Sequence, residues 1–216
     1  MIRTRIKICG LTRPEDVTAA VAAGADAIGF VFYPASPRHV SFERAAELAA
    51  LLPPFVTAVG LFVNPEPAFV AEALRLVPLQ CLQFHGDERD AQCAALAAQG
   101  GAGLHALPWI KAIRMRSGVD LLESSASHPG ARGLLVDAFS EGYGGAGRTF
   151  DWGLLPERFE RPLLLSGGLG VANVGEAVRR VRPWAVDVSS GVESAKGIKD
   201  AAKMAAFIEQ VRDADG

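Results

Sequence analysis

Reactive and polar side chains recur directly after short apolar runs in this 216-residue sequence. The first is Cys9 in the segment KICG, where a thiol ends an alternating run and glycine follows at once. A cysteine at such a place is most often a small buried hydrophobe, but an ionised thiol at a strand end can also serve as a base. Residue 9 taken alone therefore leaves packing and catalysis as alternatives.

A carboxyl group occupies a similar place later in the chain. Asp137 follows the apolar residues of GLLV. A buried strand there would end at the carboxyl and shield it partly from water, which suits a general acid. The alternative is a structural aspartate that hydrogen-bonds a loop. Asp187 within AVDVSS competes for the acid role, but its place inside a strand favours a structural role that ties loops together.

Three further polar side chains are candidates for binding a substrate. Arg38 directly follows Pro37 in a loop with two prolines, and a guanidinium restrained in this way suits bidentate binding of a carboxylate. A solvated arginine is the alternative. Gln83 and His85 end the strand-like run of LQCLQFH and are predicted to contact the substrate. His85 can carry a proton, but a lone histidine at a strand end is more often a hydrogen-bonded structural residue.

Two segments rich in small residues complete the candidate site. Gly167 and Gly168 belong to SGGLG, and Ser189, Ser190 and Gly191 belong to SSGVE. In a β/α barrel the loops after the seventh and eighth strands often bind phosphate through backbone N–H groups and a helix N-terminus. One such loop is a weak signal, because turns use serine and glycine everywhere. Two of them at adjacent strand ends predict a phosphate site.

Strand-like and helix-like segments alternate along the chain and would position these side chains. Strands are predicted at 5–9, 27–32, 56–63, 79–84, 109–115, 133–138, 162–167 and 185–189, and helices at 14–23, 41–52, 66–77, 88–99, 118–126, 151–155, 171–181 and 198–212. This alternation favours parallel strands joined by right-handed crossovers. Eight units predict a closed (β/α)8 TIM barrel of the α/β class, a single domain over residues 1–216. An open doubly wound sheet is the alternative, but no GxGxxG follows the first strand.

Local signals support several of these helices. Thr12, Pro14 and Glu15 resemble a capping box with proline near the first turn, and Ser41 opens the second helix. The sixth helix, at 151–155, is expected to be barely a turn, because its surroundings are rich in glycine.

The bulk composition excludes several classes of function. Hydrophobic residues make up 50% and charged residues 21%, and a net charge of −2 gives no basis for binding nucleic acid or an anionic membrane. The longest apolar runs are strand-sized, and no apolar segment follows the basic N-terminal residues, so neither a membrane span nor a secretory signal is expected. Three cysteines without framework or metal-ligand spacing indicate a reducing cytoplasm and no metal.

The motifs of the chain, taken in order, resemble those of one enzyme family. The segments KICGLTRPED, GFVFYPASPRHV, VGLFVN, LQFHGDE, LLVDAF…GGAGRTFDW, LLLSGGL and DVSSGVE…GIKD occur in this sequence. Together they resemble the phosphoribosylanthranilate isomerases of tryptophan biosynthesis, from Lys7 to about Asp200. Residues 105–130 match less closely, and Ala138 stands where some relatives have serine.

The resemblance implies a TIM barrel that converts N-(5-phosphoribosyl)anthranilate to 1-(2-carboxyphenylamino)-1-deoxyribulose 5-phosphate by an Amadori rearrangement, the third step from chorismate to tryptophan. It implies that Cys9 is the general base, Asp137 the general acid and Arg38 the group that binds the anthranilate carboxylate. The glycine and serine loops would bind the phosphate. One acid and one base suffice for this chemistry, so no metal or other cofactor is expected.

The base in such a reaction must be a thiolate, and a free thiol is only partly ionised at neutral pH. Lys7 lies two residues before Cys9 on the same strand and points to the same side. It is expected to lie too deep to pair with the sulfur, but to lower the pKa of the thiol through space.

Two alternatives from different classes are set against this interpretation. Another phosphosugar barrel enzyme, of the indole-glycerol-phosphate synthase or epimerase type, would need a lysine acid or paired acids that often hold a metal, and no such metal-binding quartet follows the predicted strands. A non-catalytic phosphosugar-binding barrel would keep the glycine loops, and the presence of both Cys9 and Asp137 argues against it. The expected partner is a phosphoribosyl small molecule, with no nucleic acid or membrane, and the chain is expected to be a monomer or a homodimer.

Overall fold

Eight parallel strands form a closed barrel in the computed structural model, which describes residues 3–99, 106–139 and 149–216. The strands are β1 (Arg5–Cys9), β2 (Ala27–Val31), β3 (Thr57–Phe62), β4 (Cys81–Phe84), β5 (Trp109–Met115), β6 (Gly133–Ala138), β7 (Leu163–Leu165) and β8 (Ala185–Val188). Each strand pairs with the next in the chain, and β8 pairs with β1 from Arg5 opposite Ala185 to Ile8 opposite Val188. The predicted (β/α)8 barrel is confirmed, and the open doubly wound sheet is excluded.

Helices connect most of the strands across the outside of the barrel. They are α1 (Pro14–Ala23), α2 (Phe42–Ala49), α3 (Pro67–Leu76), α4 (Asp90–Ala97), α5 (Leu121–Ala126), α6 (Val174–Val181) and α7 (Ala201–Asp215). In the part of the segment after β6 that the structure describes, residues 149–162, the one helical element is a 3-10 turn at Trp152–Leu154, in line with the weak helix signal. Residues 144–148 of the GGAGRTFDW motif lie outside the described residues.

The helix starts agree with one capping prediction and contradict another. Ser41 caps α2, because its side chain accepts a hydrogen bond from the Arg44 backbone N–H. The capping box at Thr12 is wrong, since Arg13 is the residue before α1 and makes no side-chain cap. The Thr12 hydroxyl instead donates to the Gly197 carbonyl oxygen at 2.8 Å, which ties the loop after β1 to the segment between β8 and the last helix.

A small hairpin follows β8 and was not predicted. Its strands are β9 (Glu193–Ala195) and β10 (Ile198–Lys199), which pair antiparallel. The prediction of helix from residue 198 is therefore wrong at its start. The helix α7 begins at Ala201, where the Asp200 side chain accepts a hydrogen bond from the Lys203 backbone N–H.

The core consists of a layer between barrel and helices and a filling inside the barrel. Phe32, Phe62 and Phe84 are buried in the outer layer, and the Phe32 and Phe62 ring centroids lie 5.2 Å apart. Alternate residues of each strand point inward, so Lys7 and Cys9 both project from β1 into the interior. Among the residues described, no helix combines the length and apolar character needed to cross a membrane.

Candidate active site

A cavity opens among the carboxyl ends of the barrel strands, the place where β/α barrels carry their active sites. Its lining residues are Cys9, Val31, Tyr33, Ser36, Arg38, Leu61, Val63, Gln83, His85, Asp137, Ser166, Gly167, Gly168, Leu169, Asp187, Val188, Ser189 and Ser190. Nine of the ten predicted site residues therefore share one cavity. The tenth, Gly191, does not line it. A Cβ at Gly191 would lie 1.9 Å from the Leu169 carbonyl oxygen, so glycine allows the two phosphate-loop candidates to approach each other.

Cys9 lies at the end of β1, buried against Val31 and Leu61. Two residues earlier, the Lys7 ammonium donates to Asp187 Oδ1 at 2.6 Å in a buried ion pair. Asp187 also accepts a hydrogen bond from the Ser166 hydroxyl at 3.2 Å, so it ties β7 and β8 to β1, as the structural role expected of it implies. It nevertheless lines the cavity as well.

The surroundings of Cys9 act on its thiol in opposite directions. Burial raises the pKa of the thiol, whereas the charge and the hydrogen bond of Lys7 lower it. Burial is the larger effect, so the pKa of Cys9 lies above its ordinary value. The prediction that Lys7 is too deep to reach the sulfur is wrong. The lowering expected from Lys7 is present, but desolvation of the thiol outweighs it.

Asp137 ends β6 and holds a chain of three polar side chains. Its Oδ1 accepts a hydrogen bond from the Ala138 backbone N–H at 2.8 Å, and its Oδ2 lies 3.2 Å from His85 Nε2. His85 Nδ1 lies 3.0 Å from Gln83 Nε2. An amide nitrogen can only donate, so Nδ1 accepts this bond and Nε2 carries the hydrogen that points to Asp137. The three predicted residues thus form one connected chain.

Arg38 is buried and paired, which excludes the solvated alternative. Its Nε and Nη2 donate to the two carboxylate oxygens of Glu193 at 2.7 and 2.9 Å. This bidentate pair raises the pKa of Arg38, so the guanidinium is a permanent cation at the cavity wall. Glu193 engages one edge of the planar group. Both bonds use the Nε and Nη2 edge, so Nη1 takes no part in the pair with Glu193.

Glycines with positive φ and hydrogen bonds from side chains shape the loops after β7 and β8. Gly167 has a φ of +84°, and a Cβ there would lie 2.4 Å from the Ala138 backbone nitrogen, so no other residue fits without movement. Asn173 Nδ2 donates to the Gly168 carbonyl oxygen at 3.0 Å, and Asn173 Oδ1 accepts from the Gly170 N–H at 2.9 Å. The Ser189 hydroxyl donates to the Cys9 carbonyl oxygen at 2.9 Å. These bonds fix both loops beside the cavity.

Several residues at the site escaped the sequence reasoning. Tyr33, Ser36 and Ser166 line the cavity, and although they lie in the quoted segments GFVFYPASPRHV and SGGLG, they were not among the predicted site residues. Conversely, Asn64 and Arg114 follow β3 or end β5 but do not line it. Arg114 forms an ion pair with Asp87 at 2.7 Å instead. Lys199 and Glu193, on the unpredicted hairpin, contact two lining residues from behind. The polarity of a strand end therefore identified candidates without saying which of them face inward.

The sequence of the chain is similar to those of known enzymes over nearly its full length. A family model described as N-(5'phosphoribosyl)anthranilate (PRA) isomerase matches residues 6–210. The chain is 60% identical over 214 residues to the N-(5'-phosphoribosyl)anthranilate isomerase of Dechloromonas aromatica, which covers 99% of both chains. It is 61% identical over 213 residues to the enzyme of that name from Leptothrix cholodnii, covering 99% of this chain and 93% of the relative.

Solved structures of the same kind superpose closely on the barrel. The phosphoribosyl anthranilate isomerase of Thermotoga maritima gives a TM-score of 0.86 at 42% identity, covering 97% of this chain and 99% of that one. An isomerase in complex with reduced 1-(o-carboxyphenylamino)-1-deoxyribulose 5-phosphate gives 0.83 at 39% identity, with the same coverage. Monomers generated from the dimeric Thermotoga maritima enzyme give 0.81 at 37% identity, covering 97% of this chain and 98% of that one.

Proposed function

This chain belongs to the N-(5'-phosphoribosyl)anthranilate isomerase family of tryptophan biosynthesis, and we propose that Cys9 and Asp137 are its catalytic base and acid. The chain is an enzyme of this class, and its substrate is a small molecule. One observation carries the proposal: the thiol on β1 and the carboxyl on β6 line the same cavity as the loops after β7 and β8. The proposed reaction is the third step from chorismate to tryptophan, and it needs no cofactor.

The proposed reaction begins with proton transfer from Asp137 to the ring oxygen of the ribosylamine. The C1′–oxygen bond then breaks, and the nitrogen lone pair forms a protonated Schiff base with C1′. This cation acidifies the C2′ proton, which the thiolate of Cys9 removes. The electron pair of the C2′–H bond forms a C1′–C2′ double bond while the C1′–N π electrons return to nitrogen, and the product is an enolamine. A proton then adds to C1′ and the C2′ hydroxyl gives up its proton to become the ketone, and proton exchange with water returns Cys9 and Asp137 to their starting states. One acid and one base on separate strands are the groups that this sequence of steps requires.

His85 is proposed to govern the proton on Asp137. With Gln83 Nε2 donating to His85 Nδ1, the carboxyl accepts two hydrogen bonds, which suits the carboxylate left after the proton has been given away. Gln83 Oε1 is buried without a partner among the described residues. Rotation of the Gln83 amide would present Gln83 Oε1 to a protonated His85 Nδ1. His85 Nε2 would then be the atom that accepts a hydrogen bond from a protonated Asp137. The two orientations of the Gln83 amide would therefore correspond to Asp137 after and before it has given its proton to the substrate.

The raised pKa of Cys9 predicts how activity depends on pH. A general base acts in its deprotonated form, and burial shifts the thiol towards the protonated form at neutral pH. Because the thiolate is the active form, we expect the rising limb of kcat/KM to lie at higher pH than an unperturbed thiol would give. Initial rates measured from acidic to alkaline pH, at constant ionic strength, locate this rising limb. A plateau already reached near neutral pH would contradict the proposed state of the thiol.

Arg38 is proposed to bind the anthranilate carboxylate with its free edge, while the loops hold the phosphate. Replacement Arg38→Ala should raise KM by about 10- to 100-fold with little change in kcat, because a hydrogen bond between charged groups contributes to ground-state and transition-state binding alike. Steady-state kinetics measures both parameters. A large fall in kcat at unchanged KM would show that Arg38 acts in the transition state instead.

The experiment that tests the overall activity is the loss of anthranilate-riboside fluorescence when the enzyme is mixed with freshly made N-(5-phosphoribosyl)anthranilate. We expect a decay whose rate is proportional to enzyme concentration. A decay no faster than in buffer would contradict the proposed activity of this chain.

The remaining proposals concern partners and location. We propose a monomer or a homodimer, and the relative from Thermotoga maritima described as dimeric supports the second. No nucleic-acid or membrane partner is proposed, and the cytoplasm stays a prediction from the cysteine pattern.

A further inference from the structure

Two residues of the hairpin β9–β10 connect Arg38 to Ser189 from behind the cavity wall. Glu193 accepts hydrogen bonds from Arg38 and, at 2.8 Å, from Lys199 Nζ. Lys199 Nζ also donates to the carbonyl oxygen and the hydroxyl of Ser189, at 3.1 and 3.2 Å. Arg38 and Ser189 line the cavity, whereas Glu193 and Lys199 do not. The Glu193 and Lys199 side chains are only 6% and 0% exposed.

From this arrangement we propose that Glu193 is a positioning residue that orients the Arg38 guanidinium towards the substrate carboxylate, and that Lys199 extends the same support to Ser189 in the phosphate loop. Neither residue touches the substrate. The inference rests on the proposed function, because it takes Arg38 as the group that contacts the carboxylate and Ser189 as part of the phosphate site.

Glu193 fixes Arg38 in a single orientation. The guanidinium is planar, and a carboxylate on its Nε and Nη2 edge determines where the other edge points. The aliphatic part of Arg38 lies against Gly10, where a Cβ would come within 2.5 Å of Arg38 Cδ. The side chain is thus held at its stem and at its head. A ligand carboxylate would meet the Nη1 edge already in place, without the entropic penalty of ordering a flexible arginine.

Arg38, Glu193, Lys199 and Ser189 form a hydrogen-bonded bridge behind the cavity wall. Lys199 uses all of its donors within this bridge. An ammonium has three hydrogens and no acceptor, and its three bonds go to one oxygen of Glu193 and two of Ser189. The Ser189 hydroxyl then has its own hydrogen committed to the Cys9 carbonyl oxygen. The start of the eighth loop is therefore held by both Lys199 and the end of β1.

The hairpin itself is anchored so that the bridge keeps its register. Lys199 on β10 pairs with Glu193 on β9, which places the two side chains next to each other. The Lys199 backbone N–H donates to Asp16 Oδ2 at 3.2 Å, and its carbonyl oxygen accepts from Arg13 Nη2 at 3.3 Å. Helix α1 thus supports β10 from outside. A two-residue strand without such anchors would not hold a buried charge in place.

Charge and geometry predict opposite effects when Glu193 is neutralised. The bridge contains two cations and one anion, so it carries one excess positive charge beside a site proposed to bind anions. Loss of the Glu193 charge would raise that excess, and electrostatic attraction alone would then strengthen the binding of a carboxylate. A positioning role predicts the reverse, because the glutamine of Glu193→Gln cannot accept from both Arg38 nitrogens. A rise in carboxylate affinity in Glu193→Gln would show that charge dominates, and a fall would show that positioning dominates.

The test uses two probes that differ only in the carboxylate. One is reduced 1-(2-carboxyphenylamino)-1-deoxyribulose 5-phosphate, and the other is its phenylamino counterpart without the carboxyl group. Calorimetric titration gives the ratio of their dissociation constants for the wild-type enzyme, Arg38→Ala and Glu193→Gln. We expect Glu193→Gln to reduce the carboxylate preference by about tenfold, because a misplacement of around 1 Å is enough to lose most of a bidentate contact. Lys199→Met should weaken both probes by the same factor, since both carry the phosphate.

Two further variants keep the test decisive if the buried charge is needed for folding. Glu193→Asp keeps the charge but is one methylene too short to span the guanidinium edge, so it should also reduce the carboxylate preference. Glu88→Gln removes a carboxylate from the equally buried pair Lys111–Glu88, which does not line the cavity, and it should leave the preference unchanged. Full preference in Glu193→Gln and Glu193→Asp, with loss in Arg38→Ala, would overturn the inference and leave the proposed function standing. Full preference in Arg38→Ala itself would overturn both.

Discussion

Replacement Cys9→Ser is expected to lower kcat by about 10²–10⁴-fold, the range that a positioned general base supplies. Serine has nearly the same size and keeps the packing against Val31 and Leu61. Its hydroxyl has a far higher pKa than a thiol, so it cannot accept the C2′ proton at neutral pH. Steady-state rates of fluorescence loss measure the effect. Binding of the reduced product should stay close to wild type, because the sulfur is not proposed to bind the carboxylate or the phosphate.

A second buried cysteine provides the control for this substitution. Cys93 lies on α4 and is fully buried, and burial raises the pKa of its thiol to about 12. It does not line the cavity, so Cys93→Ser should keep the wild-type kcat. If Cys9→Ser also keeps full activity, the thiol at residue 9 is only part of the packing, and another group must act as the base.

Replacement Asp137→Asn is expected to lower kcat by a comparable factor, about 10²–10⁴-fold. The amide keeps an oxygen that can accept from the Ala138 N–H, so the end of β6 should retain its shape. It has no acidic proton to give to the ring oxygen, and ring opening should become the slow step. The same fluorescence assay measures kcat, while titration with the reduced product checks that the cavity still binds its ligand.

A carboxylate outside the cavity serves as the control for Asp137. Asp120 caps α5 by accepting hydrogen bonds from the backbone N–H groups of Leu122 and Glu123. Asp120→Asn should therefore alter stability slightly and leave kcat unchanged. Wild-type turnover in Asp137→Asn would rule out its proposed role as the acid and would move attention to His85.

The barrel could be predicted from the sequence because its signals are local and repeated. Strand-like and helix-like runs alternate eight times in the sequence, and the barrel strands lie within the predicted runs, five of them one to three residues shorter than predicted. Strand β7 ends at Leu165 rather than at Gly167, since Gly167 turns with a positive φ. The hairpin β9–β10 was missed because strands of two or three residues carry no periodic pattern. Its sequence therefore looked like the start of the last helix.

The site was predictable only in part, because its geometry depends on contacts between distant residues. The rule that active sites lie at the carboxyl ends of barrel strands brought Cys9 and Asp137 together without knowledge of either side chain's partners. The pair between Arg38 and Glu193 joins residues 155 positions apart, and nothing local indicates it. Likewise, strand periodicity predicts that Lys7 lies near Cys9. It does not predict how deeply the thiol is buried, and this burial raises the pKa of Cys9 more than Lys7 lowers it.

The most direct test of the acid–base assignment is the release of tritium from C2′ of labelled N-(5-phosphoribosyl)anthranilate into water during a single turnover. The assignment predicts that the wild-type enzyme releases tritium as fluorescence is lost and that Asp137→Asn slows both processes together. Cys9→Ser should slow tritium release by the same factor as kcat, about 10²–10⁴-fold, while still binding the reduced product. Release by Cys9→Ser at the wild-type rate would contradict the role of the thiol as the base.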